Sequence, residues 1–193
     1  MKLTVNEIFY SLQGEGGRNG EASIFIRLTM CNLACSFCDT DFAEGDGMSL
    51  EEILDVIEQY PCKWIIWTGG EPTIQLKDQH LAFFREKGYK QAIETNGTRR
   101  VPTLIDYITC SPKQDYESIK SRIPVVNEIR MPIKKGDPIP EISVFPKADN
   151  YFLSPIFDDN KMNEDNVAYC VELIKQHPEW RLSLQLHKLI HIE

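Results

Sequence analysis

Residues 23–30 alternate in polarity, with Ile24, Ile26 and Leu28 on one face and Phe25, Arg27 and Thr29 on the other. That is the period of a β-strand. Ser49-Leu50-Glu51-Glu52 has the form of a capping box, and Leu50, Ile53, Leu54 and Ile57 then recur at helical spacing. Further on, the pattern predicts a strand over 63–68, a helix over 76–87 stopped by Gly88, and a strand over 90–95. Strands follow over 106–110, 125–131 and 150–153, then a helix over 164–176 with Val167, Cys170, Val171 and Ile174 on one side. A last strand over 181–187 sets Leu182, Leu184 and Leu186 against Ser183, Gln185 and His187. Strands alternating with helices imply an α/β fold with a mostly parallel sheet. Residues 132–147 hold four prolines and a glycine, so no full crossover helix is expected there. The expected architecture is therefore a partial α/β barrel of about six parallel strands, trimmed in its C-terminal half. At 193 residues the chain is read as one domain.

Ligands of such sheets collect at the carboxyl ends of the strands, and the chemically suggestive residues fall there. Cys31, Cys35 and Cys38 form a C-x3-C-x2-C loop just past the strand over 23–30. Four thiolates normally hold a [4Fe–4S] cluster, so three leave one iron open to a small molecule. A zinc knuckle would want a fourth ligand nearby, and no Cys or His follows until Cys62. Three buried thiols are the plainest alternative. Gly69-Gly70-Glu71-Pro72 follows the next strand. Two glycines permit close backbone approach to a ligand, and carbonyls beside a carboxylate suit an ammonium group. As an isolated motif this is a strand-to-helix turn. Glu94-Thr95-Asn96-Gly97 and Ser111-Pro112-Lys113 end two further strands; their plain readings are a turn with a rim charge and a surface lysine.

Upstream, Leu12-Gln13-Gly14-Glu15-Gly16 reads on its own as a glycine-rich turn with solvated polar groups. If the Arg27 face points inward, Arg27 needs an anion, because an unpaired buried charge is costly. A ligand carboxylate meets that need bidentately. Glu15 can accept from an N–H/NH2 edge, and Gln13 can donate and accept. A ligand with a 2-amino-4-oxopyrimidine edge and a carboxylate satisfies all three.

Composition narrows the field. Charged residues make up 26% and hydrophobic ones 42%, as in ordinary soluble domains. No apolar run is long enough for a membrane span and the N-terminus lacks an apolar leader, so the expectation is a cytoplasmic protein with no membrane partner. A net charge of −8 argues against a nucleic-acid partner. Clustered cysteines suit a reducing compartment, and Cys62, Cys110 and Cys170 are read as small hydrophobes.

Taken together, the three-cysteine loop and the Gly-Gly-Glu-Pro turn resemble the radical S-adenosylmethionine (SAM) superfamily. With Leu12-Gln13-Gly14-Glu15-Gly16, Arg27, Asp39-Thr40, Glu94-Thr95-Asn96-Gly97, Ser111-Pro112-Lys113 and Gln185-Leu186-His187-Lys188, nearly the whole chain resembles the 7-carboxy-7-deazaguanine synthases. The resemblance implies a [4Fe–4S] cluster on Cys31, Cys35 and Cys38, with SAM chelating the open iron. It implies SAM contacts from Gly69, Gly70, Glu71, Glu94, Ser111, Lys113 and Ser154. It implies Mg2+ at Thr40. For the substrate it implies an N-terminal binding segment (about residues 1–22), with Leu12, Gln13, Gly14, Glu15, Arg27, His187 and the main-chain carboxylate of Glu193 in contact. The implied reaction converts 6-carboxy-5,6,7,8-tetrahydropterin to 7-carboxy-7-deazaguanine and ammonia, on the route to queuosine, with SAM regenerated. An electron donor such as flavodoxin and a homodimer are the implied partners. The competing readings are an activase that installs a glycyl radical on another enzyme, and a non-catalytic iron–sulfur module.

Overall fold

The structure, a computed structural model, describes residues 1–38, 40–158 and 161–192. The chain divides into two compact units. The first comprises Met1–Ser11, Ala22–Thr95 and Arg99–Ile108; the second comprises Leu12–Glu21, Asn96–Thr98 and the chain from Thr109 onward.

The first unit is built on β1 (Lys2–Leu12), β2 (Ala22–Leu28), β3 (Asp46–Ser49), β4 (Trp64–Gly69) and β5 (Lys90–Thr95), in the order β3-β1-β2-β4-β5. β1 and β3 pair antiparallel; β2, β4 and β5 run parallel. The predicted alternation holds in β2: Ile24, Ile26 and Leu28 are fully buried, and Phe25 and Arg27 lie on the other face. The buried face shares one core with Ile65 and Trp67 of β4, with Leu50, Ile53 and Ile57 of α1 (Leu50–Ile57), and with Leu81 and Phe84 of α2 (Asp78–Glu86). The capping box forms as the sequence requires: Glu52 N–H donates to Ser49 Oγ and Ser49 N–H to the Glu52 carboxylate. Gly88, at φ +83°, ends α2 in the left-handed region that glycine adopts without strain.

In the second unit, the end of β6 (Tyr107–Cys110) lies parallel to β7 (Val125–Ile133), which is parallel to β8 (Lys147–Pro155) and then β9 (Arg181–Leu182). α3 (Tyr116–Arg122) links β6 to β7, and α4 (Glu164–Gln176) links β8 to β9. Between β7 and β8 there is a short 3-10 turn over Ile142–Val144 in place of a crossover helix, as the prolines demand. Cys110 and Cys170 are fully buried, and burial pushes the Cys170 thiol up to about 12, the behaviour of a small hydrophobe.

Several elements differ from the sequence expectation, among them β3, which no alternation announced. The segment before Gln13 is an eleven-residue strand, β1, paired to β3. α3 carries too few apolar positions to announce itself. The strand expected over 181–187 ends at Leu182, and Leu186–Ile190 forms a short helix, α5. Leucines at every second position suit a strand, but Leu186 N–H donates to Gly14 O at 2.9 Å, so this backbone is spent on the N-terminal loop.

His80 is buried, and its Nδ1 accepts the Lys77 N–H at the start of α2. Burial first, then the charges of Lys77 and the N-terminal ammonium, holds its imidazole below the usual 6.5. The neutral form is thus the native one. Its stabilisation is complete above the unfolded value and is lost as pH falls below it toward the depressed folded value. Urea unfolding between pH 7.5 and 5 will show stability falling with pH, and His80→Gln will flatten the part of that slope nearest pH 6.5.

Candidate active site

The cysteine loop leaves β2 through Met30, a non-glycine residue at φ +70°. Cys31 and Cys35 are half-buried and Cys38 is exposed. Leu33 N–H points at Cys31 Sγ (3.4 Å), Cys38 N–H donates to Cys35 O (3.2 Å), and Cys38 Sγ donates to the carbonyl of Thr40 (3.7 Å). The loop's root is tied down by Gln75, whose side chain donates to Thr29 O and Thr4 O while accepting Thr4 N–H. Among the described residues no group of three or more Cys, His, Asp or Glu side chains is arranged to hold a metal ion. What fits a cluster is the chemistry of the donors: three accessible thiols, one already facing an N–H, in a short hairpin-free loop. Asp39, in the Asp39-Thr40 motif, lies outside the described residues.

The Gly-Gly-Glu-Pro turn packs directly on that loop. Gly70 N–H donates to Leu28 O (3.1 Å) and Glu71 N–H to Met30 O (2.8 Å). A Cβ at Gly69 would stand 2.0 Å from Leu28 O, and one at Gly70 would stand 2.1 Å from Met30 O. These glycines thus let the turn approach the end of β2 and the first residues of the cysteine loop closely. Glu71 has no exposed surface, and its Oε1 accepts from Thr73 N–H, Thr73 Oγ and Thr95 Oγ. Glu94 is half-buried at the end of β5. On the second face of β2, Arg27 is paired with Glu7 at 2.5 Å, and its guanidinium lies 5.8 Å from the Phe9 ring, which stacks on Phe25. The anion it meets is an exposed side chain of β1.

In the second unit the Gln13-Gly14-Glu15 part of the predicted substrate set meets His187. Gln13 is buried, and its Oε1 accepts Glu15 N–H (3.1 Å). Leu12, at the end of β1, is half-buried. A Cβ at Gly14 would stand 2.2 Å from His187 Nδ1, so the imidazole packs on Gly14 itself. The Leu186–Gly14 hydrogen bond makes the same join in the backbone, and Gly16 N–H donates to Ser183 Oγ (2.9 Å). The Glu15 carboxylate accepts from Arg130 at 2.5 Å, and Arg130 also donates to Glu128 (2.9 Å). Lys113 Nζ donates to Ser111 Oγ at 2.6 Å beyond β6. Asn96 and Gly97 form the plain turn expected, with Asn96 Oδ1 accepting from Thr98. Ser154 Oγ, near the end of β8, is buried with no hydrogen-bond partner among the described residues, which suits a polar atom awaiting a ligand. Glu193 lies outside the described residues.

Sequence reasoning passed over Gln75, Thr73, Glu128, Arg130 and Ser183. Glu128 and Arg130 did carry a signal, since two opposite charges share one face of a largely apolar strand that includes Val126, Ile129, Met131 and Ile133.

Residues 25–139 match the radical SAM superfamily. Over 192 residues the chain is 43% identical to the 7-carboxy-7-deazaguanine synthase of Bacteroides thetaiotaomicron, covering all of both chains. It is 44% identical to that of Haemophilus influenzae, covering 99% of this chain and 94% of the relative. The crystal structure of QueE from Escherichia coli superposes with a TM-score of 0.75 at 26% identity, covering 97% of this chain and 95% of that one. The chain belongs to the radical SAM superfamily and, within it, to the 7-carboxy-7-deazaguanine synthase family. The family implies a [4Fe–4S] cluster and SAM as cofactors.

Two substitutions separate the two kinds of glycine. Gly69→Ala meets backbone at 2.0 Å and a φ of +127°, so it will cost about 3 kcal/mol or more of stability, read by urea unfolding. Gly14→Ala meets chiefly the His187 imidazole, with the His187 amide nitrogen at 3.0 Å, so His187 must shift but no backbone is struck as closely as at Gly69; the fold will persist while substrate KM rises, with SAM affinity unchanged.

Proposed function

We propose that this chain converts 6-carboxy-5,6,7,8-tetrahydropterin to 7-carboxy-7-deazaguanine with release of ammonia. The observation that carries this reading is the joining of Gln13, Gly14 and Glu15 to His187, from opposite ends of the sequence, through the Leu186–Gly14 hydrogen bond. A pterin is a flat ring with a donor-rich edge, and this group offers it acceptors, an imidazole and a close glycine surface.

Cys31, Cys35 and Cys38 hold the cluster. When bound, cluster and SAM supply one-electron cleavage of a sulfonium bond and hence a carbon radical able to take hydrogen from the substrate. The chain's own groups bind and orient. Carbonyls of the Gly69–Gly70 turn, with Glu71 behind them, suit the SAM amine; Glu94, Ser111, Lys113 and Ser154 supply its other polar contacts. Gln13 and Glu15 take the pyrimidine edge, with Leu12 and His187 against the ring. Arg27 takes the substrate carboxylate by giving up Glu7. An exposed ion pair of that kind is worth about 0–1 kcal/mol, so a well-placed bidentate carboxylate outcompetes it. Thr40 is the side chain for Mg2+, a hard ion satisfied by few protein oxygens when substrate and water complete its shell. Delivery of the electron by a flavodoxin-type donor, assembly as a homodimer and residence in the cytoplasm complete the reading. Among the described residues no helix is long and apolar enough to cross a membrane.

The test is an anaerobic assay of the reconstituted protein with reductant, SAM, Mg2+ and the tetrahydropterin, read by mass spectrometry. Several turnovers of the deazaguanine without matching loss of SAM are expected; cleavage of SAM with no such product overturns the substrate. Arg27→Gln will raise substrate KM by roughly tenfold to a hundredfold, the worth of a charge-assisted hydrogen bond. Glu7→Gln will leave KM nearly unchanged. Equal effects from the two would reduce Arg27 to a partner of Glu7.

A further inference from the structure

We infer that Glu128 and Arg130 are positioning residues that make Glu15 a selective acceptor for the 2-amino-4-oxopyrimidine edge of the substrate. This rests on the substrate reading above and adds residues that no motif of the N-terminal segment contains.

Glu128 and Arg130 lie two apart on β7 and so share one face. Both are buried, Glu128 with 1% and Arg130 with 6% of its surface exposed. Arg130 donates through one terminal nitrogen to Glu15 Oε2 and through the other to Glu128 Oε1. Glu128 Oε1 also accepts from Thr109 Oγ, its register partner on β6, and Glu128 Oε2 accepts Gly17 N–H at 2.7 Å. The loop is thus gripped at Glu15 and just after it: at its own amide by Gln13, at Gly16 by Ser183 and at Gly17 by Glu128. Gly16, at φ +70°, has no room for a side chain, because a Cβ there would stand 2.2 Å from Glu128 Oε1. Among the described residues the Glu15 carboxylate accepts a hydrogen bond only at Oε2, and the side chain keeps 14% of its surface exposed. Arg130 therefore anchors the carboxylate at Oε2, and among the described residues Oε1 is left to accept from a ligand. An N–H/NH2 edge meets that oxygen; a 2-oxo edge turns a carbonyl toward it and is repelled.

The test compares 6-carboxypterin with its 2-oxo analogue, 6-carboxylumazine, as ligands of the reconstituted, SAM-loaded protein, with affinities read by ligand fluorescence. Wild type, Arg130→Lys, Glu128→Gln, Glu15→Gln and the Glu15→Gln/Arg130→Lys double variant are measured together. Arg130→Lys keeps the charge and loses the two-pronged geometry. We expect the preference for the 2-amino ligand to fall about tenfold in Arg130→Lys and in Glu15→Gln, with no further fall in the double variant and with SAM affinity unchanged. An Arg130→Lys protein that weakens both ligands equally, or losses that add in the double variant, would overturn the inference while leaving the substrate reading intact. Wild type with no affinity for 6-carboxypterin would overturn both. Should Arg130→Lys not fold, Arg130→Gln takes its place, because it removes the same contact with Glu15 while leaving Glu128 on the Gly17 amide.

Discussion

Arg130 is buried against two carboxylates, and a charge removed from water in this way is tolerated only if its partners are held in place. That requirement runs outward through the second unit. Glu128 must not move, so Thr109 and the Gly17 amide hold its two oxygens. Glu15 must stay within reach, so the loop carrying it is tied to Ser183 and Gln13. The glycines follow from the same demand, since a side chain at Gly16 would occupy the place of Glu128. A loop that composition alone marks as loose is ordered by the cost of an unpaired guanidinium.

The first unit solves a different problem, that of keeping three thiols near the surface on a loop with little core of its own. Met30, Cys31 and Cys38 are at least partly exposed, and the loop is held from outside by backbone pairing with the Gly69–Glu71 turn and by the carboxamide of Gln75. Glu71 acts inward, capping its own turn through Thr73 and reaching Thr95 at the end of β5. The ends of three parallel strands are thereby cross-linked by polar contacts. Ordering paid for during folding need not be paid when a ligand arrives.

Much of this was legible in the residues. The alternation in β2, the capping box at Ser49, the glycine stop at Gly88 and the missing helix before β8 are local effects, and local effects are written locally. The cysteine spacing and the Gly-Gly-Glu-Pro turn were legible as chemistry, and their neighbourhood followed from parallel strands placing both at carboxyl ends. The partnerships were not legible. Arg27 reads as a buried cation seeking a ligand, yet meets Glu7 on β1, a strand that the sequence pattern did not disclose. Leu182, Leu184 and Leu186 alternate as a strand would, but Gly14 claims the backbone of Leu186 from the far end of the chain. Contacts of that span depend on topology, and periodicity carries no record of them.

The same distinction explains why the N-terminal motif is rich in both glycine and carboxylate. A substrate-facing carboxylate on a flexible loop would spend binding energy on being ordered, at a cost of roughly 1–2 kcal/mol for each backbone residue fixed. Here the fixing is done by Arg130 and Glu128 of β7, a strand set by sheet hydrogen bonds, and by Ser183 just past β9, whose own N–H donates to Leu153 O. The residues proposed to touch a ligand can then be small and polar, while those that hold them are charged and buried. A motif scan finds the former because they are contiguous. The latter are found by asking of each buried charge what it keeps still.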